Sequence, residues 1–128
     1  MKENRPYLQH INDALTAIRE YTNEGREGFF NDRKTQDAVI RNLEIIGEAT
    51  KRLSPDFRDA HPECPWKQMA GMRDKVIHDY LGVNLEIVWE TVETRVPRLL
   101  EQIDVILAAQ QEDDPEIPNA SDQESGGP

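Results

Sequence analysis

The sequence predicts an all-α fold, an antiparallel bundle of four to five helices. Three observations carry that prediction. Apolar residues recur at spacings of three and four along nearly the whole chain, the period of a buried helical stripe. No stretch alternates apolar and polar residues convincingly, as a half-buried strand would. Most prolines, glycines and capping residues fall between the periodic segments.

The first helix starts at Asn4, a capping residue type, with Pro6 in the first turn. Leu8, Ile11, Leu15 and Ile18 form its stripe, and Gly25 and Gly28 end it. Phe29 and Phe30 fall in the connection and plug an end of the core. A second helix runs from about Asp32 to Leu53. Val39, Leu43, Ile46 and Leu53 form one stripe, with Ala38, Ile45 and Ala49 beside it. An arc this wide predicts burial on two sides, one against the chain's own core and one against a partner. Gly47 inside this helix costs about 1 kcal/mol relative to alanine, which points to a close backbone approach.

Ser54-Pro55 stops the second helix. Residues 54–65, SPDFRDAHPECP, form a connector with at most a short helical turn, anchored by Phe57. Pro65 opens a third helix, about Trp66–Tyr80. Gly82 and Asn84 punctuate the next turn, and Asn84 caps a long fourth helix. Leu85, Val88, Val92, Val96, Leu99, Ile103 and Ile106 line one face of it. Pro97 removes one backbone bond and kinks this helix without ending it, because the stripe continues beyond.

With 128 residues the chain is long enough for one domain with a real core. Charge is unevenly spread. The net charge is −10, and residues 112–128, EDDPEIPNASDQESGGP, hold six acids and no lysine or arginine. The expected organisation is a helical body over 1–111 and an acidic, disordered tail over 112–128 that is too poor in apolar residues to offset its ordering entropy. No apolar run reaches the ~18–20 residues that span a bilayer. The start, MKENRPYLQHINDAL, lacks an apolar signal core, and Cys64 is the sole cysteine, so the expected location is the cytoplasm, with no membrane partner. The acidic balance argues against broad electrostatic binding of nucleic acid, so any such chemistry must be local to a site.

The third segment, PWKQMAGMRDKVIHDY, is the informative one. At about 100° per residue, Trp66, Met69, Ala70, Arg73, Ile77 and Tyr80 share a face. Arg73 interrupts an apolar stripe, which is costly for a guanidinium unless it is paired or lines a cleft. Asp74 and His78 stand at i and i+4, so the carboxylate can fix the imidazole tautomer and raise its basicity. Other groupings are weaker. Glu44 and Glu48 lack the Glu-x-x-His partners of a di-metal site, and a solvated or salt-bridged face is the better reading. His61 and Cys64 have ligand spacing but no second pair, which argues against zinc. No metal and no cofactor are expected. Lys51, Arg52, Lys67, Arg73 and Lys75 make a small positive patch or serve as ordinary surface residues.

Arg73–Tyr80, RDKVIHDY, matches R-x-x-x-x-H-x-Y. This resembles the HEPN superfamily and, within it, the HepT-like toxins of toxin–antitoxin modules. DAVIRNLEIIGEATKRL, PWKQMAGMRDKVIHDY and VNLEIVWETVETRVPRLL look like HepT segments in order and spacing, so the resemblance covers about residues 5–107. It implies a dimerising bundle with the motif helices lining a cleft at the dimer interface, and a metal-independent ribonuclease acting on RNA. It makes Arg73 and His78 the catalytic pair. It makes Tyr80 the residue to which a cognate nucleotidyltransferase antitoxin adds AMP. Asp74 stands where asparagine is more usual and would play a supporting role. The alternative from another class is a non-catalytic helical module that binds nucleotide or substrate beside a separate nucleotidyltransferase. The acidic body and Asp74 favour that alternative; the presence of both Arg73 and His78 favours the nuclease.

Overall fold

The computed structural model describes residues 3–72, 74 and 84–113. Among them every regular element is helical. The order is α1 (Arg5–Tyr21), α2 (Gly25–Phe30), α3 (Arg33–Lys51), α4 (Pro55–Ala60) and α5 (Trp66–Ala70), then α6 (Leu85–Glu90), a π-helical turn (Thr91–Arg95) and α7 (Val96–Asp113). α1 packs against both α3 and α7, and α5 packs against α3.

The predicted stripes form the core. Leu8, Ile11, Leu15 and Ile18 of α1 are buried with Val39, Leu43 and Ile46 of α3 and with Val96, Leu99, Ile103 and Ile106 of α7. Residues three and four apart stack on one side of a helix, so each stripe faces the others and leaves the charged residues outside. Ala49 is buried, whereas Ala38 and Ile45 stay half-buried on the single chain.

Asn4 sits at the N-cap position of α1, but its side chain makes no capping bond. It is buried and reaches across the fold. Its Oδ1 accepts the Ser54 N–H at 2.9 Å, and its Nδ2 donates to Ser54 Oγ at 3.3 Å. This tie joins the start of α1 to the residues just beyond α3, which makes those two helices antiparallel. Ser54 Oγ also caps α4 by accepting the Phe57 N–H at 3.2 Å. Ser54→Ala removes the cap and the bond from Asn4 Nδ2 to Ser54 Oγ, so a loss of about 1–2 kcal/mol is expected. A thermal midpoint equal to that of the wild type would contradict this.

Two connections differ from expectation. α1 ends at Tyr21, with Thr22 at its C-cap, before either glycine is reached; Gly25 and Gly28 lie inside the short helix α2, which takes the place of a simple loop. Gly25 has φ +86°, a conformation that disfavours side chains, and it turns the chain into α2. Phe29 is buried at the far end, 5.3 Å between ring centroids from Trp89. Gln36 donates to the carbonyls of Phe29 and Phe30 at 3.0 and 3.2 Å, satisfying acceptors that a helix end leaves unpaired.

α3 starts where expected, and Asp32 caps it: its side chain accepts the Lys34 N–H. The Thr35 hydroxyl and the Lys34 N–H, both at 3.0 Å, hold its carboxyl below the usual carboxylate value. A depressed native value stabilises the fold above the unfolded pKa, and that stabilisation is lost as pH falls through the native one. α3 ends at Lys51, two residues short of expectation, though Leu53 remains buried.

The second difference lies around Pro97. The helix does not merely bend there; its register widens just before the proline. The Val96 N–H bonds to the Thr91 carbonyl, five residues back. Proline has no N–H, and its ring crowds the carbonyl one turn earlier, so a wider turn relieves both problems. The stripe shows the same widening, with fours in succession at Val88, Val92 and Val96. Trp89, outside the predicted stripe, is also buried. α7 continues to Asp113, two residues into the segment expected as tail.

Candidate active site

α5 is fixed at its start. Trp66 is buried, its Nε1 donates to the His61 carbonyl at 2.8 Å, and its ring lies 6.0 Å from Phe57. Met69 and Met72 follow, both buried. The face predicted from Trp66 and Met69 is therefore the packed one, although α5 closes at Ala70 with Gly71 at its C-cap, short of the helix expected over Trp66–Tyr80. Asp74 is exposed, with its Oδ2 3.8 Å from Lys51 Nζ at the end of α3. Arg73, His78 and Tyr80, with Lys75 and Ile77, lie outside the described residues.

The chain resumes at Asn84, whose Oδ1 accepts the Ile87 N–H at 3.3 Å, the cap that the sequence predicts. Glu86 pairs with Arg26 of α2, and Trp89 meets Phe29. α2 is tied through Gln36 to the first turns of α3. The two ends of the motif segment thus lie toward opposite ends of α3, a 19-residue helix that spans roughly 28 Å.

The weaker groupings resolve into structural roles. Glu44 is 3.8 Å from Arg41 at i,i+3, as a salt-bridged face requires. Arg41, Glu44, Glu48 and Arg52 border a shallow groove of about 440 Å³ between α1 and α3, with Ile45 in its wall. Cys64 is buried, and burial, with Glu63 adding to it, pushes its thiol up to about 11, so it is protonated at neutral pH. The His61 ring lies 4.6 Å from Phe57, with its Nδ1 3.4 Å from Glu63 Oε2. Among the described residues no three His, Cys, Asp or Glu side chains are gathered to hold a metal ion. No helix among them is long and apolar enough to cross a membrane.

One polar cluster escaped the sequence reading. Arg95, Arg98 and Gln102 share one face across the π turn and α7, beside Gln68 and Met72 of the segment that leads into the motif. They line a cavity of about 250 Å³. Nothing in their spacing separates them from ordinary exposed residues; only the packing of α7 against the α5 segment brings them together.

The model of the family described as "Ribonuclease HepT-like" matches residues 11–106. A protein of Thermococcus cleftensis named "Probable ribonuclease HepT" is 50% identical over 99 residues, covering 77% of this chain and 90% of that protein. A "Putative RNase" of Caldanaerobacter subterraneus subsp. tengcongensis is 46% identical over 108 residues, covering 84% and 96%. Another, of Methanocaldococcus jannaschii, is 45% identical over 107 residues, covering 83% and 88%. No solved structure matches the chain.

Proposed function

This chain belongs to the HepT-like ribonuclease family, and from that membership we propose that it is a metal-independent endoribonuclease, the toxin of a toxin–antitoxin module. One observation carries the reading: R-x-x-x-x-H-x-Y stands at Arg73–Tyr80, inside the span that the family matches. The bundle supports it, since the packed Trp66–Met72 stretch leads directly into the motif.

Cutting RNA without a metal uses the adjacent ribose 2′-OH as nucleophile on phosphorus. A base removes its proton and an acid protonates the departing 5′-oxygen. An imidazole titrates near neutrality and suits either duty. Each chain has one His in the motif, so a two-fold dimer supplies the acid, the base and two arginines for the charge on the phosphorane. The products carry a 2′,3′-cyclic phosphate and a 5′-hydroxyl. Asp74 adds negative charge close to this chemistry, which asparagine would not. Lys51, 3.8 Å away, offsets part of that charge.

Tyr80 is the control point in this reading, and a cognate nucleotidyltransferase is the partner. AMP on its phenol adds a negative phosphodiester and a bulky nucleoside near the cleft, and both oppose entry of RNA. The nucleotidyltransferase with ATP is expected to add AMP to the wild type and suppress cleavage, and to leave Tyr80→Phe unmodified at this site. Mass spectrometry that places the adduct on another residue, or full cleavage by the Tyr80-modified protein, contradicts this.

A further inference from the structure

The cavity between the α5 segment and α7 has the composition of a nucleotide subsite. Arg95 and Arg98, three residues apart, stand at its edge in a chain of net charge −10. Arg95 Nη1 donates to Gln68 Oε1 at 2.9 Å, which orients that guanidinium and leaves its other donors for a ligand. Among the described residues Arg98 makes no ion pair. Gln102 Nε2 donates to the Glu63 carbonyl at 2.8 Å, so the amide orientation is set: only its nitrogen can serve a carbonyl. Among the described residues its Oε1 is then buried without a hydrogen-bond partner. A buried acceptor left unpaired is unfavourable, and a ligand donor would relieve it. Met69 and Met72 supply apolar, polarisable wall on the motif side. Among the described residues Glu63 is the one acid lining the cavity, and its carboxylate is engaged with His61 Nδ1 at 3.4 Å. The arginines flank the junction of the π turn and α7, and π turns recur at functional sites.

We propose that this cavity binds a nucleotide of the RNA strand beyond the scissile bond: Arg98, with Arg95, takes its phosphate, and Gln102 Oε1 accepts a hydrogen bond from its base or ribose. The proposal rests on the ribonuclease reading and adds a strand-holding site to it. Arg98 is a binding residue here, and the chemistry stays with the motif.

The test uses the full-length His78→Ala protein, so that RNA is bound without being cut, and a fluorescent single-stranded RNA read by anisotropy. Adding Arg98→Ala is expected to weaken binding roughly tenfold, as loss of a charge-assisted bond does. It should also lower the slope of log affinity against log salt by about 0.7. Arg19→Ala, an equal loss of charge on α1, should change neither. With His78 intact, Arg98→Ala should raise KM by the same factor and leave kcat alone. If the His78→Ala parent binds RNA while Arg98→Ala and the Arg95→Ala/Arg98→Ala pair bind equally well, the subsite is overturned and the ribonuclease reading stands. If the parent binds no RNA and the wild type cuts none, both fall.

Discussion

His78→Ala is expected to abolish RNA cleavage, a loss of about 10²–10⁴-fold for a proton-transfer group, while the helical spectrum stays that of the wild type. In a dimer the substitution removes acid and base together, since both copies lose the same side chain. Arg73→Ala should lose about 10²–10³-fold, the scale of losing a preorganised donor to developing charge. The packed residues around the motif entry explain why folding should survive. Trp66, Met69 and Met72 bury the α5 face without either side chain. Arg73→Ala is also the more informative of the two for stability: if the guanidinium is poorly paired on its apolar stripe, the variant gains stability as it loses activity. Cleavage that survives in either variant contradicts the assignment.

Leu43→Ala is the substitution expected to cost the fold most. Leu43 lies mid-way along α3 with no exposed surface, within the core that α1 and α7 complete. Truncation removes buried carbon and leaves a cavity that helices packed on both sides cannot close fully, for a loss of about 2–5 kcal/mol. In a domain of this size that lowers the thermal midpoint on the order of ten degrees or more. Val105→Ala is the matched control: Val105 on α7 is 68% exposed, and its truncation should be close to neutral. Equal midpoints for the two variants would contradict the placement of the core.

The main stripes were legible in the sequence because a helix buries residues three and four apart whatever it packs on. Leu8, Ile11, Leu15 and Ile18, and Val96 through Ile106, needed no tertiary information. The cap at Asn84 was equally local, and Ser54-Pro55 was legible as a stop, although the cap that Ser54 makes on α4 and its tie to the rest of the fold were not. Asn4 shows the limit. Its residue type reads as a cap, yet its side chain serves a contact 50 residues away, and only folding reveals that. α2 was missed for a related reason: two glycines in four residues read as a stop, while the burial of Phe29 against Trp89 stabilises a short helix that propensity alone would not. The π turn had a visible cause in Pro97, but the choice between a kink and a wider register depends on which option keeps Val88, Val92 and Val96 on the buried side.

The candidate site divides in the same way. R-x-x-x-x-H-x-Y is a contiguous pattern and could be read directly. The Lys51–Asp74 pair and the Arg95–Arg98–Gln102 cluster each join elements far apart in the chain, and no local spacing announces them. Asp74 stood out in the sequence as the i,i+4 neighbour of His78 and as a departure from the usual asparagine; Lys51, at the end of α3, lies beside it only because α5 packs along α3.

The most direct measurement of the central claim is incubation of the purified chain with mixed tRNA and mRNA in EDTA, with analysis of the product ends. Cleavage that persists in the chelator and leaves 2′,3′-cyclic phosphate and 5′-hydroxyl ends is the predicted result. Intact RNA, or cleavage that requires added divalent metal and leaves 5′-phosphates, would contradict it.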